Sequence, residues 1–408
     1  MYLIFNNSLK LNLILLYVFI FFIPIDMVNG LLIRNVGFSF SIYVKLLMLT
    51  VVLVFLLRTR YQLLISILTL IAILVYSASA AVHSELVYFD TGFSILKFVS
   101  VFIYGAFFIY ILKRYGEKKL IRVIIYTYLF LLLNTFLGMI GFGFPMYGDD
   151  FSGIGTRGLI FAGNELGVVT LIAGCLLMSH HILHKHYLIY SLIGISLIFN
   201  SLMLGSKVAM LGSMLIFIGF SFIHFCQEVR RLKLSLKLGF LVFLFAGFVI
   251  LLSHYVVSGF FHTNIGTRIL HFYQNYDFLT FLLSGRDLRI SHGIEVYVNH
   301  YSLSEVLFGS SRLAIYSESD FFDVLFVYGL VGLLFVLTLF LCLIFLCVLK
   351  SKVNPYALYI LFMLILLFLI ANIAGHAIVS GTASFMLAML VAFIFYDKSD
   401  SHESSIGF

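Results

Sequence analysis

Charged residues, proline and tryptophan are all scarce in this 408-residue chain. Only 11% of the residues are Asp, Glu, Lys or Arg, whereas a soluble domain contains about a quarter. Apolar residues make up 62% of the chain, and apolar runs near the ~20 residues that cross a bilayer recur along it. The composition therefore excludes an ordinary soluble enzyme and predicts an all-α polytopic membrane protein.

Cysteine is also rare, and its four positions carry no recognisable chemistry. Cys175, Cys226, Cys342 and Cys347 lie in or beside apolar runs, without the spacing of a zinc site or a disulfide framework. The net charge of +7 lies mostly in short loops, where it sets membrane topology instead of attracting nucleic acid. With three prolines, no pair of broken helices of the inverted-repeat transporter type can be recognised. The sequence predicts no cofactor, no metal and no nucleic-acid partner.

Twelve apolar segments are predicted to span the membrane. The segments are roughly 11–27, 36–57, 61–82, 92–112, 120–141, 159–179, 187–203, 207–225, 237–256, 320–349, 355–375 and 378–396. Residues 1–256 hold the first nine spans, 257–319 form a large loop, 320–396 hold the last three spans, and 397–408 form a polar tail.

The positions of the lysines and arginines predict the orientation of these spans. If the N-terminus is cytoplasmic, every second loop is cytoplasmic as well, and the short loops that hold most of the lysines and arginines all fall on that side. Both termini are then cytoplasmic, and the loops 142–158 and 257–319 lie outside. Long loops without regular structure tend to carry function, so we expect the chemistry on the outer face.

Two polar segments begin spans on that face. Lys207 begins the eighth span, either as an anion ligand at a helix N-terminus or as a snorkelling lysine that marks the interface. Arg157, Asn164 and Glu165 lie close together where the sixth span begins. Polar groups at that depth face a cavity or a substrate, or they form hydrogen bonds between helices.

The large loop contributes two further arginines. Arg286 and Arg289 are one helical turn apart and can reach one anion, although a solvated loop would also explain them. The spacing of apolar residues after them predicts a short amphipathic helix; these residues are Ile290, Ile294, Val296 and Val298.

Carboxylates and a histidine complete the set of candidates. Glu318, Asp320 and Asp323 precede or begin the tenth span, as candidate general bases or as groups that cap the helix together with Ser317 or Ser319. His376 links the last two spans, as a proton carrier, a phosphate ligand or an ordinary polar residue. Four more histidines lie close together on the predicted cytoplasmic side; they are His180, His181, His184 and His186. A metal site is an alternative there, but the inner loops carry no other chemistry that supports it.

Five segments, in this order, resemble the O-antigen polymerase (Wzy) family within the O-antigen polymerase and ligase superfamily. They are RGLIFAGNELG, LGSKVAMLGSML, SGRDLRI, ESDFFDVLFVYGLVGLL and AGHAIVSG. The resemblance extends from about residue 150 to 385, with Lys207 and Arg286 at its basic positions. Ligases of the superfamily usually have a His-Asn pair where this chain has Glu318 and Ser319, and commonly an arginine where it has Lys207. Both differences favour a polymerase.

The resemblance implies a GT-C-like glycosyltransferase of lipopolysaccharide biosynthesis in the bacterial inner membrane, with no cofactor. Such an enzyme joins undecaprenyl-diphosphate-linked oligosaccharide repeat units on the periplasmic face. It transfers the growing glycan to a sugar hydroxyl of the incoming unit and releases lipid diphosphate. The alternatives are a ligase that transfers the glycan to the lipid A core and a lipid-linked oligosaccharide flippase. A chain-length regulator protein is a possible partner.

The resemblance also suggests a role for each candidate. Arg286 and Lys207 would stabilise the leaving diphosphate, and Glu318 or Asp320 would accept the proton of the acceptor hydroxyl. The diphosphate and the glycan would be bound by the remaining candidates, which are Arg157, Asn164, Glu165, Arg289 and His376.

Overall fold

The computed structural model describes most of the chain. The described residues are 2–57, 59, 67, 71, 74, 88–146, 155–230, 274, 277, 280, 283, 285–310, 317–373, 375, 377, 380 and 381–396. The predicted span 237–256, the tail 397–408, His376 and the side chain of Asn164 lie outside this description, as does the span 61–82 apart from isolated positions.

Helices make up nearly all of the described structure. In chain order they are α1 (Tyr2–Val18), a 3-10 turn (Phe19–Phe21), α2 (Phe22–Val36), α3 (Ser41–Leu56), α4 (Tyr88–Tyr115), α5 (Glu117–Met139), α6 (Asn164–Leu183), α7 (Tyr187–Leu204), α8 (Lys207–Arg230), α9 (Arg286–His300), α10 (Leu303–Phe308), α11 (Asp320–Lys350), α12 (Ala357–Ile373) and α13 (Ser384–Ile394). Two short strands, β1 (Phe144–Pro145) and β2 (Thr156–Gly158), form an antiparallel pair between α5 and α6.

Seven of the described helical segments are long and apolar enough to cross a membrane. They are Lys10–Val36, Leu96–Tyr115, Glu117–Met139, Glu165–Leu183, Tyr187–Leu204, Lys207–Val229 and Asp320–Lys350. Three shorter apolar helices, α3, α12 and α13, accompany them. The protein is therefore an all-α polytopic membrane protein, while the count of twelve spans stays a prediction.

Two of the spans differ clearly from their predicted bounds, and a third is kinked. The first runs on to Val36, because only a single 3-10 turn separates α1 from α2. The last helix begins at Ser384, since residues 381–383 form a turn. The tenth contains a sharp kink at Gly329, whose φ of 65° and ψ of −167° are not helical.

Helix α6 is the most buried of the spanning helices and lies at the centre of the bundle. Small residues let its neighbours approach closely, as is usual between membrane helices. A Cβ at Gly174 would come within 2.7 Å of Leu197 on α7, and one at Gly167 within 3.2 Å of Ala209 on α8. Helices α5, α12 and α13 also pack against α6.

The bundle has two ends, which we name after the residues found there. At the arginine end, Glu165 of α6 accepts a hydrogen bond from Thr382, and Arg286 donates one to the carbonyl of Ile373 at the end of α12. At the histidine end, His180 of α6 contacts Tyr356, just before α12 begins. A helical rise of 1.5 Å per residue puts Glu165 and His180 about 22 Å apart along α6.

The two ends agree with the alternation predicted from loop charges. Segments predicted outside, with Arg157 and Lys207 among them, lie at the arginine end, and segments predicted inside, such as the one that holds Lys185, lie at the histidine end. Which end faces the cytoplasm stays a prediction.

Candidate anion site at the arginine end

Two arginines of α9 converge on one carboxylate. Nη2 of Arg286 lies 3.0 Å from Oε2 of Glu318, and Nη1 of Arg289 lies 2.6 Å from Oε1 of the same residue. The side chain of Arg286 is 13% exposed, that of Glu318 34% and that of Arg289 42%. The cluster is thus half-buried, with one side open to a ligand.

Arg286 is the better anchored of the two arginines. Its Nη1 donates to the carbonyls of Leu283 and Ile373, at 3.4 and 3.3 Å. Its Nε is buried and has no partner among the described residues. A guanidinium group carries five N–H donors in a fixed plane, and the Nε donor of Arg286 is unused in the described structure.

Local geometry determines where α9 begins and how it packs. Gly285 adopts a left-handed conformation, and Asp287 in the first turn accepts a hydrogen bond from Thr280. A Cβ at Gly293 would come within 2.6 Å of the ring of Phe326, so this ring packs on the helix where there is no side chain. The arginines are therefore held on a helix that is docked against α11.

The predicted amphipathic helix is confirmed as a helix, but part of its predicted buried face was wrong. Ile294 is 41% exposed and Val298 is 69% exposed. Gly293 is the buried residue of α9, and the hydroxyl of Tyr297 donates to the carbonyl of Val306. The ring of Phe326 determines which face of α9 packs against α11, because a bulky ring fits best over a glycine.

Glu318 has an unusual backbone conformation. Its φ of 55° lies in the left-handed region, which is costly for a residue with a Cβ. Gly375, itself at φ 63°, lies so close that a Cβ there would be 2.2 Å from the carbonyl oxygen of Glu318. The 317–320 segment and the segment after α12 therefore meet backbone to backbone, and this contact sets the position of the carboxylate.

The three acidic residues of this segment have separate contacts. Asp320 accepts a hydrogen bond of 2.7 Å from the backbone N–H of Ala377. Asp323 accepts two bonds of 2.8 Å, from the backbone N–H and the hydroxyl of Ser317. These bonds of Asp323 hold the turn before α11 and do not cap the helix, and the side chain of Ser319 makes no cap bond. Glu318 is the carboxylate that faces the two arginines.

Arg157 lies on β2, in a separate setting. The side chain of Asn134 fixes the backbone here, because its Nδ2 donates to the carbonyl of Arg157 and its Oδ1 accepts from the N–H of Leu159. The guanidinium group lies 5.6 Å from the ring centre of Phe144 and 5.2 Å from that of Phe161, and donates to the Phe161 carbonyl. Burial lowers the pKa of Arg157. Its contacts in the described part of the chain are with these rings and not with Glu318.

Two further candidates lie at the same end. Glu165 accepts a bond of 3.3 Å from the N–H of Thr382, which ties α6 to the turn before α13. Lys207 is the first residue of α8, as predicted. The left-handed Gly205 precedes it, and a Cβ at Gly155 would come within 2.3 Å of the Leu204 carbonyl. The turn before Lys207 is therefore closely packed.

Two lysines, Lys45 and Lys97, lie within the predicted spans 36–57 and 92–112. In the structure both line a small, partly open cavity of about 70 Å³, whose other walls are largely apolar. Lys45 pairs at 2.7 Å with Asp26, an acid that the sequence did not single out. No acidic partner of Lys97 is found among the described residues. The cavity therefore carries a net positive charge beside Gly381.

Comparison with known proteins leaves the family resemblance untested. No protein-family model matches the chain, and no curated protein matches it. The arrangement of the side chains is therefore what indicates a function.

Proposed function

We propose that this protein is a polysaccharide polymerase of the O-antigen type. It would join undecaprenyl-diphosphate-linked repeat units on the periplasmic face of a bacterial inner membrane, on a GT-C-like helical fold. The observation that carries the proposal is the convergence of Arg286 and Arg289 on Glu318 at one end of a membrane bundle.

In this proposal Glu318 occupies the place of a substrate anion. Arginine binds carboxylates and phosphates through the same planar pair of donors. A diphosphate carries more charge than a carboxylate, so it competes for both guanidinium groups. Its binding would release Glu318, which then becomes free to take a proton.

The transfer step then follows from the two groups. The acceptor hydroxyl oxygen forms a bond to the anomeric carbon, and the bond from that carbon to the phosphate oxygen breaks. The electron pair of the broken bond leaves with the lipid diphosphate, where Arg286 and Arg289 stabilise its charge. The proton of the hydroxyl goes to Glu318. Asp320 acts as a positioning residue, because its carboxylate holds the backbone of Ala377.

Polymerisation requires two lipid-linked substrates, and the small cavity beside Gly381 is the candidate contact for part of the second one. Lys97 offers a cation to a lipid diphosphate, and apolar walls formed by residues such as Leu46, Leu49 and Leu96 would contact its hydrocarbon chain. Asp26 neutralises Lys45, so Lys97 is the expected phosphate contact. Lys207 and Arg157 would bind the glycan or its diphosphate, together with Glu165, Asn164 and His376.

Reconstitution with purified lipid-linked repeat units tests the proposal. The purified protein should convert them into products of increasing length. A single transfer to added lipid A core would identify a ligase, and movement across the vesicle membrane without new bonds would identify a flippase. Either of these results would overturn the polymerase assignment.

A further inference from the structure

A second cluster of titratable side chains lies at the histidine end. Glu117 begins α5, and His180 and His184 lie one turn apart at the end of α6. Oε1 of Glu117 is 3.3 Å from Nε2 of His184 and 4.0 Å from Nδ1 of His180. One ligand atom from each residue lies within 4.8 Å of the other two.

The hydrogen bonds of His184 leave a lone pair facing the carboxylate. Its Nδ1 lies 2.8 Å from the carbonyl oxygen of His180. A carbonyl only accepts, so Nδ1 carries the hydrogen, and in the neutral ring Nε2 carries a lone pair. This lone pair faces Oε1 of Glu117, which also only accepts when ionised. Two such atoms at 3.3 Å repel each other unless a proton or a metal ion lies between them.

Tyr356 orients the carboxylate from its other side. Its hydroxyl donates to Oε2 of Glu117 at 2.5 Å, which leaves Oε1 for another ligand. The same hydroxyl oxygen lies 2.9 Å from Nδ1 of His180. Outer contacts of this kind, which fix the orientation of a ligating group, are a regular feature of metal sites. Binding an ion at Nδ1 of His180 would move that ring's proton to Nε2 and replace the contact with Tyr356.

We propose that Glu117, His180 and His184 bind one Zn²⁺ ion. Two imidazoles and one carboxylate are ligands that zinc takes, and bonds of about 2.1 Å in a tetrahedron put ligand atoms about 3.4 Å apart. The Glu117–His184 distance already matches, and His180 needs a small closing movement. His184 is 43% exposed, so solvent reaches the fourth position.

The ion would fasten three parts of the bundle at one point. Glu117 belongs to α5, the histidines belong to α6, and Tyr356 holds the segment before α12. His180 is about 22 Å from Glu165 along α6, so the ion does not take part in glycan transfer. The inference is independent of the proposed function. It also revises the sequence-based expectation of no metal, which considered the histidines without Glu117.

Metal content provides the test. The full-length protein, purified with a tag that contains no histidine and stripped with chelator, is dialysed against micromolar Zn²⁺ and analysed by mass spectrometry. We expect one zinc per chain in the wild type and in the control His186→Ala. Glu117→Gln and His184→Ala should bind more than about 100-fold more weakly, since even outer-shell partners contribute 10- to 100-fold.

A second readout separates metal binding from misfolding. Because His184 is partly exposed, His184→Ala should keep the unfolding temperature of the zinc-free wild type. Zinc should raise this temperature in the wild type but not in the variant. Absence of zinc in the wild type, undiminished binding by His184→Ala, or loss of zinc in His186→Ala would each overturn the proposal.

Discussion

Replacing Arg286 by alanine removes the best-anchored donor of the candidate anion site. The change deletes the contacts with Glu318 and with the carbonyls of Leu283 and Ile373. Arg289 would keep its 2.6 Å contact with Glu318, so the carboxylate would not be left alone.

The expected losses of stability and of activity differ in size. A hydrogen bond to a charged group contributes about 1.5–3 kcal/mol, and exposure of a third of Glu318 lowers this. We therefore expect a loss of ~1–2 kcal/mol in stability, with the protein still inserted. Removal of a donor that stabilises a developing anion costs about 10²–10³ in rate. Activity should thus fall far more than stability.

The assay measures chain growth from purified lipid-linked repeat units in vesicles, beside the unfolding temperature of each variant. Arg286→Lys keeps the charge but loses the planar fork, so its rate should be intermediate. Arg289→Ala should lose less than Arg286→Ala, because Arg289 is more exposed. Arg34→Ala is the matched control: Arg34 lies at the same end, 5.3 Å from the ring centre of Phe144, and outside the cluster. Wild-type chain growth in Arg286→Ala, or an equal loss in Arg34→Ala, would contradict the assignment of the anion site.

Three further predictions concern the carboxylates, the glycine contact and the membrane cavity. Glu318→Gln should lower turnover at least about 100-fold, whereas Asp323→Asn should cost only about 1 kcal/mol of stability, because its bonds to Ser317 hold the turn before α11. Equal turnover in the two would contradict the assignment of the base. Gly375→Ala should abolish chain growth, because its Cβ would meet the Glu318 backbone at 2.2 Å. The control Gly37→Ala, also at positive φ but with open space around it, should retain growth. Growth in both variants would show that the contact is dispensable. Lys97→Met should raise KM for the lipid-linked substrate and leave kcat unchanged, and an unchanged KM would remove the second substrate site.

The sequence predicted the apolar helices well, because each of them corresponds to one continuous run of apolar residues. Lys207 is the first residue of its helix, as expected, since Gly205 and the apolar run after it mark the start of α8. The kink at Gly329 was missed, because glycine is common in membrane helices and only the contact with α10 makes it a break. A Cβ at Gly329 would lie 2.4 Å from the Leu307 backbone.

The candidate site was predictable only in part. The one-turn spacing of Arg286 and Arg289 predicted that they share an anion, and in the structure they share Glu318. The sequence did not indicate that partner, since 32 positions separate it from Arg286. Nor did it signal the left-handed conformation of Glu318, which depends on packing and not on local preference. Contacts across long stretches of chain are the part that local patterns do not encode.

The kink at Gly329 affects how deep in the membrane Glu318 lies. Beyond it, Leu330 to Lys350 extends about 31 Å, close to the ~30 Å thickness of the hydrocarbon layer. The turns before it, from Asp320 to Tyr328, are mostly buried inside the protein. If the straight part alone crosses the hydrocarbon, Glu318 lies at headgroup level. A lipid could then present its diphosphate there while its tail stays among the acyl chains, with no extraction from the leaflet.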